Sequence, residues 1–176
     1  ITGSTNQGLN DTFIVKYNDS GTKQWEHLLG TSNQDHATGV VADPNGFALY
    51  TGHTQGGLDG NSNSGKQDIF LAKFNASGFK LWTKQLGTPL YDSANGLAID
   101  SSDNIYVTGY TQGNLYTYVG GKDVFLVKYN SNGTKQWTRQ FGAPSFFQKS
   151  QYNSSSQAVS SEDEGKKVSI DSGGNI

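Results

Sequence analysis

The residues of this chain that could bind a metal ion lie in one loop, Asp59-Gly-Asn-Ser-Asn-Ser-Gly-Lys-Gln-Asp68. Hard cations such as Ca²⁺ take several oxygen ligands from a loop that glycine allows to turn sharply. Asp59, Asn61, Asn63 and Asp68 could supply these oxygens. Only two of the four are charged, and the loop is one residue longer than a D-x-D-x-D-G pattern, so any Ca²⁺ would bind weakly. A plain polar turn is the alternative, and we expect no required cofactor.

Patterns typical of catalytic sites are absent from the sequence. The three histidines, His27, His36 and His53, do not have the spacing of a metal-binding or catalytic motif. The chain has no cysteine, which excludes thiolate ligands, disulfides and a cysteine nucleophile. No serine lies in a G-x-S-x-G elbow. The sequence therefore predicts no catalytic residues and a protein that is not an enzyme.

Aromatic residues offer a second kind of chemistry, the binding of a partner. Tyrosine and phenylalanine in exposed loops can anchor a protein or a glycan through their large rings. Six such residues lie outside the repeated pattern of the chain: Tyr91, Tyr116, Tyr118, Phe146, Phe147 and Tyr152. They are the candidate binding residues. The alternative is that they cap the edges of sheets, or that the segment with the last three is a disordered Ser- and Gln-rich insertion.

A repeated pair of strands must position these loops. A 20-residue unit occurs three times, at residues 11–30, 68–87 and 123–142. Each copy opens with Asp, continues through an apolar-rich run to Lys, an aromatic and Asn, and then has a turn Gly, a Trp and a closing Gly. Apolar residues at alternating positions indicate β-strands, and Asn and Gly favour a tight turn between them. Each unit is therefore predicted to be a β-hairpin. The recurrence of its opening Asp indicates a structural side chain that pairs with backbone N–H groups.

A second hairpin follows each of these units. Residues 37–52 and 94–109 are rich in small residues and contain Pro-Asn-Gly or Ser-Ser-Asp-Asn at their centres. Together the two hairpins give four short strands in about 55 residues, which is the size and strand number of a β-propeller blade. A β-solenoid or a β-sandwich is the alternative. We expect an all-β chain, a β-propeller built of four-stranded antiparallel blades, of which about three are visible.

The predicted boundaries follow this pattern. We expect a partial blade at residues 1–34, complete blades at 35–91 and 92–142, and the start of another blade at 163–176. The next Asp follows the closing Gly by five positions in the first two units, whereas Asp163 follows Gly142 by 21 positions. An inserted loop is therefore predicted at 143–162. Since the chain lacks methionine, we expect a fragment of a larger propeller, or one that closes a ring by assembly.

These residues resemble the SBBP family, the bacterial β-propeller repeat. Its pattern has an Asp-x-Phe-x-x-Lys-Tyr-Asn opening, a Gly-x-x-x-Trp hairpin, and then Asp-x-Ala and Gly-Asn-x-Tyr-x-Thr-Gly. The loop at 57–61 is also similar to versions in spirochaete surface proteins and lipoproteins. The resemblance implies an exported bacterial propeller at the cell surface, outer-membrane-associated or extracellular, and implies no shared catalytic residue. The second repeat matches the family pattern at Asp68, Phe70, Lys73, Phe74, Asn75, Trp82, Gly87, Asp92, Ala94, Asp100, Asn104, Tyr106, Thr108 and Gly109.

Loop lengths favour a binding function. The turns at one edge of the predicted blades are short and alike, whereas the loops at the opposite edge vary in length and sequence: 6–10, 31–35, 55–67, 88–92, 112–122 and 143–162. Variable loops on a rigid scaffold commonly carry binding sites. We therefore expect a non-enzymatic scaffold whose partner is a protein or a glycan.

Charge and hydropathy exclude other partner classes, and two alternatives stay open. A net charge of −2 gives no basic surface for nucleic acid, and no apolar run is long enough to span a membrane. The Gly-x-x-x-Trp hairpin is also similar to the tryptophan-docking repeats of quinoprotein dehydrogenases, which implies a propeller enzyme. The third interpretation is a structural component of a surface assembly or filament, which would self-associate.

Overall fold

A computed structural model describes residues 5–43, 45–144, 146–149, 156–159 and 162–176, and for 146–149 and 156–159 it describes the backbone. The described secondary structure is twelve strands and one short 3₁₀ helix, Leu58–Gly60. The strands are β1 (Thr12–Tyr17), β2 (Lys23–Leu29), β3 (Asp35–Ala42), β4 (Ala48–Thr54), β5 (Asp68–Phe74), β6 (Lys80–Leu86), β7 (Asp92–Ile99), β8 (Ile105–Thr111), β9 (Asp123–Tyr129), β10 (Lys135–Phe141), β11 (Phe146–Lys149) and β12 (Ser156–Val159).

Ten of these strands form one antiparallel hairpin and two antiparallel four-stranded sheets. The hairpin is β1–β2, sheet A has the order β3-β4-β5-β6, and sheet B has the order β7-β8-β9-β10. The remaining two strands, β11 and β12, pair with each other inside the segment predicted as an insertion. Every described pairing between these strands is antiparallel. The prediction of an all-β chain with antiparallel sheets is therefore confirmed.

Asparagine side chains close the three hairpin turns that the repeated units predict. Oδ1 of Asn75 accepts a hydrogen bond from the backbone N–H of Phe79 at 2.9 Å. The equivalent side chains of Asn18 and Asn130 accept from the N–H groups of residues 22 and 134. Gly78 has a φ of +88°, a conformation that other residue types rarely adopt. The Asn and Gly of the pattern are therefore both needed for the turn.

The core lies between successive sheets. Sheet A contributes Leu49, Ile69 and Leu71 to one buried cluster, in which sheet B contributes Phe125 and Val127. A second buried cluster joins Ile14 and Leu29 of the β1–β2 hairpin to Tyr50, Phe70 and Phe74 of sheet A. Sheet A therefore buries one face against the β1–β2 hairpin and the other against sheet B. This explains why both faces of β5 are apolar in the sequence.

The repeated Trp and Lys residues connect one sheet to the next. Trp25 of β2 stacks on Phe74 of sheet A, with ring centres 5.9 Å apart, and its Nε1–H donates to the carbonyl of Ala76 at 3.1 Å. Lys73 of β5 donates in the same way to the carbonyl of Ser131, in the β9–β10 turn, at 3.1 Å. The repeated Trp and Lys thus both hold the turn of the following repeat.

A second connection fixes the relative direction of the sheets. Three isolated parallel β-bridges join consecutive repeats. They pair Asn10 with Gln34, Gln67 with Tyr91, and Lys122 with Glu162, and the second residue of each pair directly precedes an Asp that begins the next repeat. The N–H groups of Asp35 and Asp163 donate across the first and third of these bridges at 2.8 and 3.0 Å. Odd-numbered strands from β1 to β9 therefore start at one common edge, and the longer loops lie there. We call this edge the loop face: residues 6–10, 30–34, 55–67, 87–91, 112–122, 142–144 and 162.

Candidate functional site

Six aspartates, of which four are buried, support the loops of the loop face. In each of six positions a carboxylate oxygen accepts a backbone N–H from a loop residue, at 2.6–2.8 Å. The interpretation that the repeated Asp pairs with backbone N–H groups is therefore confirmed. Hydrogen bonds to a carboxylate are strong, and at the four buried positions they are also shielded from water, so they hold the loops in fixed positions. The six residues are Asp11, Asp35, Asp68, Asp92, Asp123 and Asp163.

Two of the predicted Ca²⁺ ligands belong to separate networks. Asp59 pairs through Oδ1 with Lys80 Nζ at 2.6 Å and accepts a hydrogen bond from Thr83 Oγ1 at 2.5 Å through Oδ2. Asp68 is fully buried, and its Oδ2 accepts from the Ser64 N–H and from Gln85 Nε2. Lys80 already neutralises the charge of Asp59, and Asp68 already closes its own loop. Both carboxylates thus have a structural explanation without an ion.

The two predicted amide ligands also have protein partners. Asn61 donates through Nδ2 to the carbonyl of Leu58 at 2.7 Å, and Asn63 accepts through Oδ1 from the N–H of Gly65 at 2.7 Å. Across the described ranges, no group of three or more His, Asp or Glu side chains is placed to hold a metal ion. Binding of Ca²⁺ would have to displace these contacts, and it stays a prediction.

Three of the six candidate binding aromatics are exposed on the loop face. The exposed fractions of Tyr91, Tyr116 and Tyr118 are 38%, 56% and 51%. Lys66 Nζ lies 4.9 Å from the ring centre of Tyr91, and Arg139 Cζ lies 5.4 Å from that of Tyr116. A cation over the ring face fixes the orientation of an otherwise mobile side chain. Tyr91 and Tyr116 are therefore held in place while they remain exposed.

The loops that carry these tyrosines adjoin each other. The N–H of Gln112 donates to the carbonyl of Tyr91 at 2.9 Å, which ties the loop after β6 to the loop after β8. Tyr118 Oη accepts a hydrogen bond from the N–H of Gly121 at 3.0 Å. Of the other three candidates, Phe146 and Phe147 lie in β11, where the described structure is the backbone, and Tyr152 lies outside the described residues.

A polar cleft lies beside the β1–β2 hairpin on the loop face. Its volume is about 470 Å³, and Gln7, Ser32, Asn33, Asp59 and Lys80 are among the residues that line it. Hydroxyl, amide and charged groups of this kind can bind a hydroxyl-rich ligand such as a glycan. Sequence reasoning missed this cleft because its walls come from three separate loops, whose proximity depends on the packing of the hairpin against sheet A.

A second polar group, which we call the inner cluster, lies where the first two strands of each sheet reach the loop face. His53 of β4 and Ser93 of β7 are 2.9 Å apart through Nδ1 and Oγ, and the ring centres of His36 and His53 are 5.1 Å apart. Burial, together with the smaller effect of the nearby His36, lowers the pKa of His53 to about 4. His53 is therefore neutral at physiological pH. The members of the inner cluster are His36, His53, Ser93, Tyr110, Lys122, Glu162 and Glu164.

The other half of the inner cluster is an ion-pair network. Lys122 Nζ lies 2.9 Å from Glu162 Oε2 and 3.1 Å from Glu164 Oε1, and 4.8 Å from the ring centre of Tyr110. Hydrogen bonds with the two glutamates raise the pKa of Lys122, and contacts with Lys166 and Lys122 lower the pKa of Glu164. Lys122 and Glu164 are thus charged at neutral pH. Lys122 joins sheet B to the segment that follows the insertion.

A sequence signal for the inner cluster does exist. When the repeats are aligned on Asp35, Asp92 and Asp163, the next position is His36, Ser93 or Glu164. The residue after the Thr-Gly pair likewise differs between the second strands of the two sheets: it is His53 in β4 and Tyr110 in β8. These positions vary although their neighbours repeat, which indicates a role other than packing. Motifs within one repeat do not reveal the inner cluster, because its members come from different repeats.

Comparison with known proteins supports the repeat assignment. The model of the SBBP β-propeller repeat matches two segments of the chain, residues 24–59 and 81–117, so the resemblance found in the sequence is confirmed. The similarity to spirochaete proteins stays a prediction. No helix of the described residues is long and apolar enough to cross a membrane.

Two curated relatives match most of the chain. A regulatory protein, FlaEY, of Caulobacter vibrioides is 28% identical over 159 residues, which covers 81% of this chain and 17% of the relative. A WD repeat-containing protein of Acanthamoeba polyphaga mimivirus is 26% identical over 168 residues, which covers 78% of this chain and 12% of the relative. The chain thus spans less than a fifth of the length of either relative.

Proposed function

We propose that this chain, which carries SBBP β-propeller repeats, is a non-enzymatic interaction scaffold that binds a protein or glycan partner through its loop face. The observation that carries the proposal is the set of exposed tyrosines, Tyr91, Tyr116 and Tyr118, on adjoining loops. Tyrosine rings contribute a large contact area and lose little conformational entropy on binding. Here the loops are already fixed by buried aspartates, which lowers the entropic cost of binding further.

The repeats themselves supply the rigid scaffold. We propose that the sheets are blades of a propeller, because each packs face to face on the next through the same Trp, Lys and Asp contacts. In this arrangement the loop face is one side of a disc. The propeller architecture of the family and the names of the relatives, a regulatory protein and a WD repeat-containing protein, are consistent with an interaction scaffold.

The proposal includes a location. We place the protein outside the cytoplasm, at the cell surface of a bacterium, on the basis of the resemblance to surface proteins and lipoproteins. Protease treatment of intact cells tests this directly. Degradation of the protein in intact cells, with a cytoplasmic marker preserved, is expected, whereas protection until lysis contradicts a surface location.

A binding screen with matched variants tests the main proposal. The purified chain is applied to a glycan array and to a panel of surface-exposed proteins, and each hit is measured with Tyr116→Ala and Tyr118→Ala. We expect at least a tenfold loss of affinity for these variants. Tyr17→Ala is the control, because Tyr17 has a similar exposed fraction of 55% but lies at the end of β1, away from the loop face. Equal losses for all three variants would contradict the proposal.

Self-assembly is a second candidate function, favoured by one observation. The sheet face that carries Phe13 and Tyr17 is exposed, although the equivalent residues of the two full sheets are buried. A blade of the same repeat type would cover this face, from a further repeat or from another copy. Concentration-dependent mass by light scattering tests assembly of the chain. A mass that grows with concentration supports assembly, and one that stays at 18.9 kDa contradicts it.

The quinoprotein alternative rested on the Gly-x-x-x-Trp hairpin. In the structure Trp25 and Trp82 lie against the turn glycines of the next repeat, so that a Cβ on Gly78 or Gly133 would contact the indole. This inter-repeat contact explains the hairpin without a cofactor. A quinone-dependent enzyme stays an alternative, which the absorbance of a bound quinone in the purified protein would test.

A further inference from the structure

We propose that His36 and His53 form a binding site for a borderline divalent cation, Cu²⁺, Ni²⁺ or Zn²⁺, where β3 and β4 of sheet A reach the loop face. The two residues are cross-strand partners on β3 and β4, with ring centres 5.1 Å apart and an angle of 37° between the ring planes. Cross-strand partners project from the same face of a sheet, so both imidazoles reach the same space. Imidazole nitrogen is a preferred ligand of these three cations.

The ring separation fits a shared ion. Zinc–nitrogen bonds are roughly 2.0–2.1 Å long and the bond angles are near tetrahedral, which places the centres of two coordinating imidazoles about 5 Å apart. The observed distance between His36 and His53 agrees with this value before any rearrangement. β4 is paired on both sides, with β3 and β5, and the edge strand β3 is paired with β4. This pairing fixes the backbone beside both histidines, so the chelate would require little conformational change.

Ser93 is placed to support the tautomer of His53 that a metal site requires. Ser93 Oγ lies 3.3 Å from the carbonyl oxygen of Ala94, to which it can donate its proton, and 2.9 Å from His53 Nδ1. In the tautomer with the proton on Nδ1, His53 donates to Ser93 Oγ. The lone pair is left on Nε2, the atom that would bind the cation. A polar partner on the second ring nitrogen is the usual support of a metal-binding histidine.

The remaining coordination positions are open to water. His36 is exposed and lines a cleft of about 490 Å³ together with Asn10, Asp11 and Phe13. Because two protein ligands are fewer than in structural zinc sites, we expect modest affinity and exchangeable positions for an external ligand. The Irving–Williams order further predicts that Cu²⁺ binds more tightly than Ni²⁺ or Zn²⁺. Oxygen-preferring Mg²⁺ and Ca²⁺ should not compete at this pair.

His27 provides a matched control. It is the third histidine of the chain, and its ring lies 4.9 Å from Phe74 and 5.8 Å from Trp25, between aromatic rings rather than beside a second imidazole. A cation that binds single histidines would be lost equally from His27→Gln and His36→Gln. A cation held by the pair would be lost only from the variants at positions 36 and 53.

Calorimetric titration of the untagged chain with CuCl₂, NiCl₂ and ZnCl₂ at neutral pH tests the site. One equivalent is expected to bind, with affinity at least tenfold lower in His36→Gln and His53→Gln and unchanged in His27→Gln. Ser93→Ala is expected to weaken binding about tenfold, the scale of losing an outer partner of a metal ligand. Since His36 is exposed, His36→Gln remains informative even where His53→Gln fails to fold. Absent binding, or equal affinity in the His36 and His27 variants, overturns the proposal.

Discussion

Asp68 and Gly87 are in direct contact: Oδ1 of the carboxylate lies so close to the glycine that a Cβ there would stand 2.1 Å from it. The equivalent pairs Asp11–Gly30 and Asp123–Gly142 have corresponding distances of 2.2 and 2.3 Å. In the described structure these three Oδ1 atoms accept no hydrogen bond. Instead, each Oδ1 faces the Cα of its glycine, whose C–H group can act as a weak donor. The first and last residues of each repeated unit are thus one structural pair.

Replacing Gly87 with alanine should destabilise the chain. The new methyl group would overlap the buried carboxylate of Asp68, which the Ser64 N–H and Gln85 hold in place. We expect a loss of about 1–3 kcal/mol in the free energy of unfolding, the range of overpacked cores. Urea denaturation measures it. Gly39→Ala is the control, because a Cβ there meets its nearest atom at an ordinary 3.4 Å. Equal losses for both variants would contradict the contact.

Phe13 and Phe125 occupy the same repeat position but should differ in their contribution to stability. Phe125 is fully buried between sheets A and B, whereas Phe13 is 58% exposed. Truncation of a buried Phe costs about 3–5 kcal/mol, so Phe125→Ala should lower the free energy of unfolding by that amount. Phe13→Ala should cost less than about 1 kcal/mol, as for surface substitutions. A large cost at Phe13 would show that another repeat or copy covers β1 in solution.

His53 should make the stability fall with pH below neutrality. Its pKa is about 4 in the folded chain and near 6.5 when unfolded, because burial disfavours the imidazolium. Between these values the unfolded chain binds a proton that the folded chain does not, so the free energy of unfolding decreases as the pH falls. The groups that face His53 are His36 and Ser93.

The measurement is urea denaturation at pH 7 and pH 5. The stability difference between the two pH values should be smaller in His53→Gln than in the unchanged chain. His27→Gln should keep the full difference. A His53→Gln variant with the same pH dependence as the unchanged chain would show that the histidine is solvated in solution.

The Ca²⁺ hypothesis has a sharp test in Lys80. Because Lys80 Nζ pairs with Asp59 Oδ1 at 2.6 Å, an ion in this loop would have to displace the ammonium group. We expect Lys80→Ala to strengthen Ca²⁺ binding and Asp59→Asn to abolish it, both measured by calorimetric titration. Lys84→Ala is a control lysine on the same strand, β6. Absence of heat in all four proteins, including the unchanged chain, would remove the Ca²⁺ site.

The sequence alone determined the local structure of this protein. Strands and hairpin turns could be predicted because apolar alternation, Asn and Gly act within a few residues of one another, as at Asn75 and Gly78. The role of the repeated Asp was likewise predicted, since its hydrogen bond reaches a loop residue only four positions away in Asp68. Repetition then extended each local prediction along the chain.

Tertiary structure decided every property that joins one repeat to another. His53 and Ser93 lie in different repeats, 40 residues apart, and meet only because sheet B packs on sheet A. Phe13 and Phe125 share a sequence pattern, yet their exposure differs because a neighbouring sheet covers only the second. Asp163 reaches the N–H of Ala143 across 20 residues, past the insertion. The physical reason is that contacts between sheets depend on how whole surfaces pack, and no short stretch of sequence contains both surfaces.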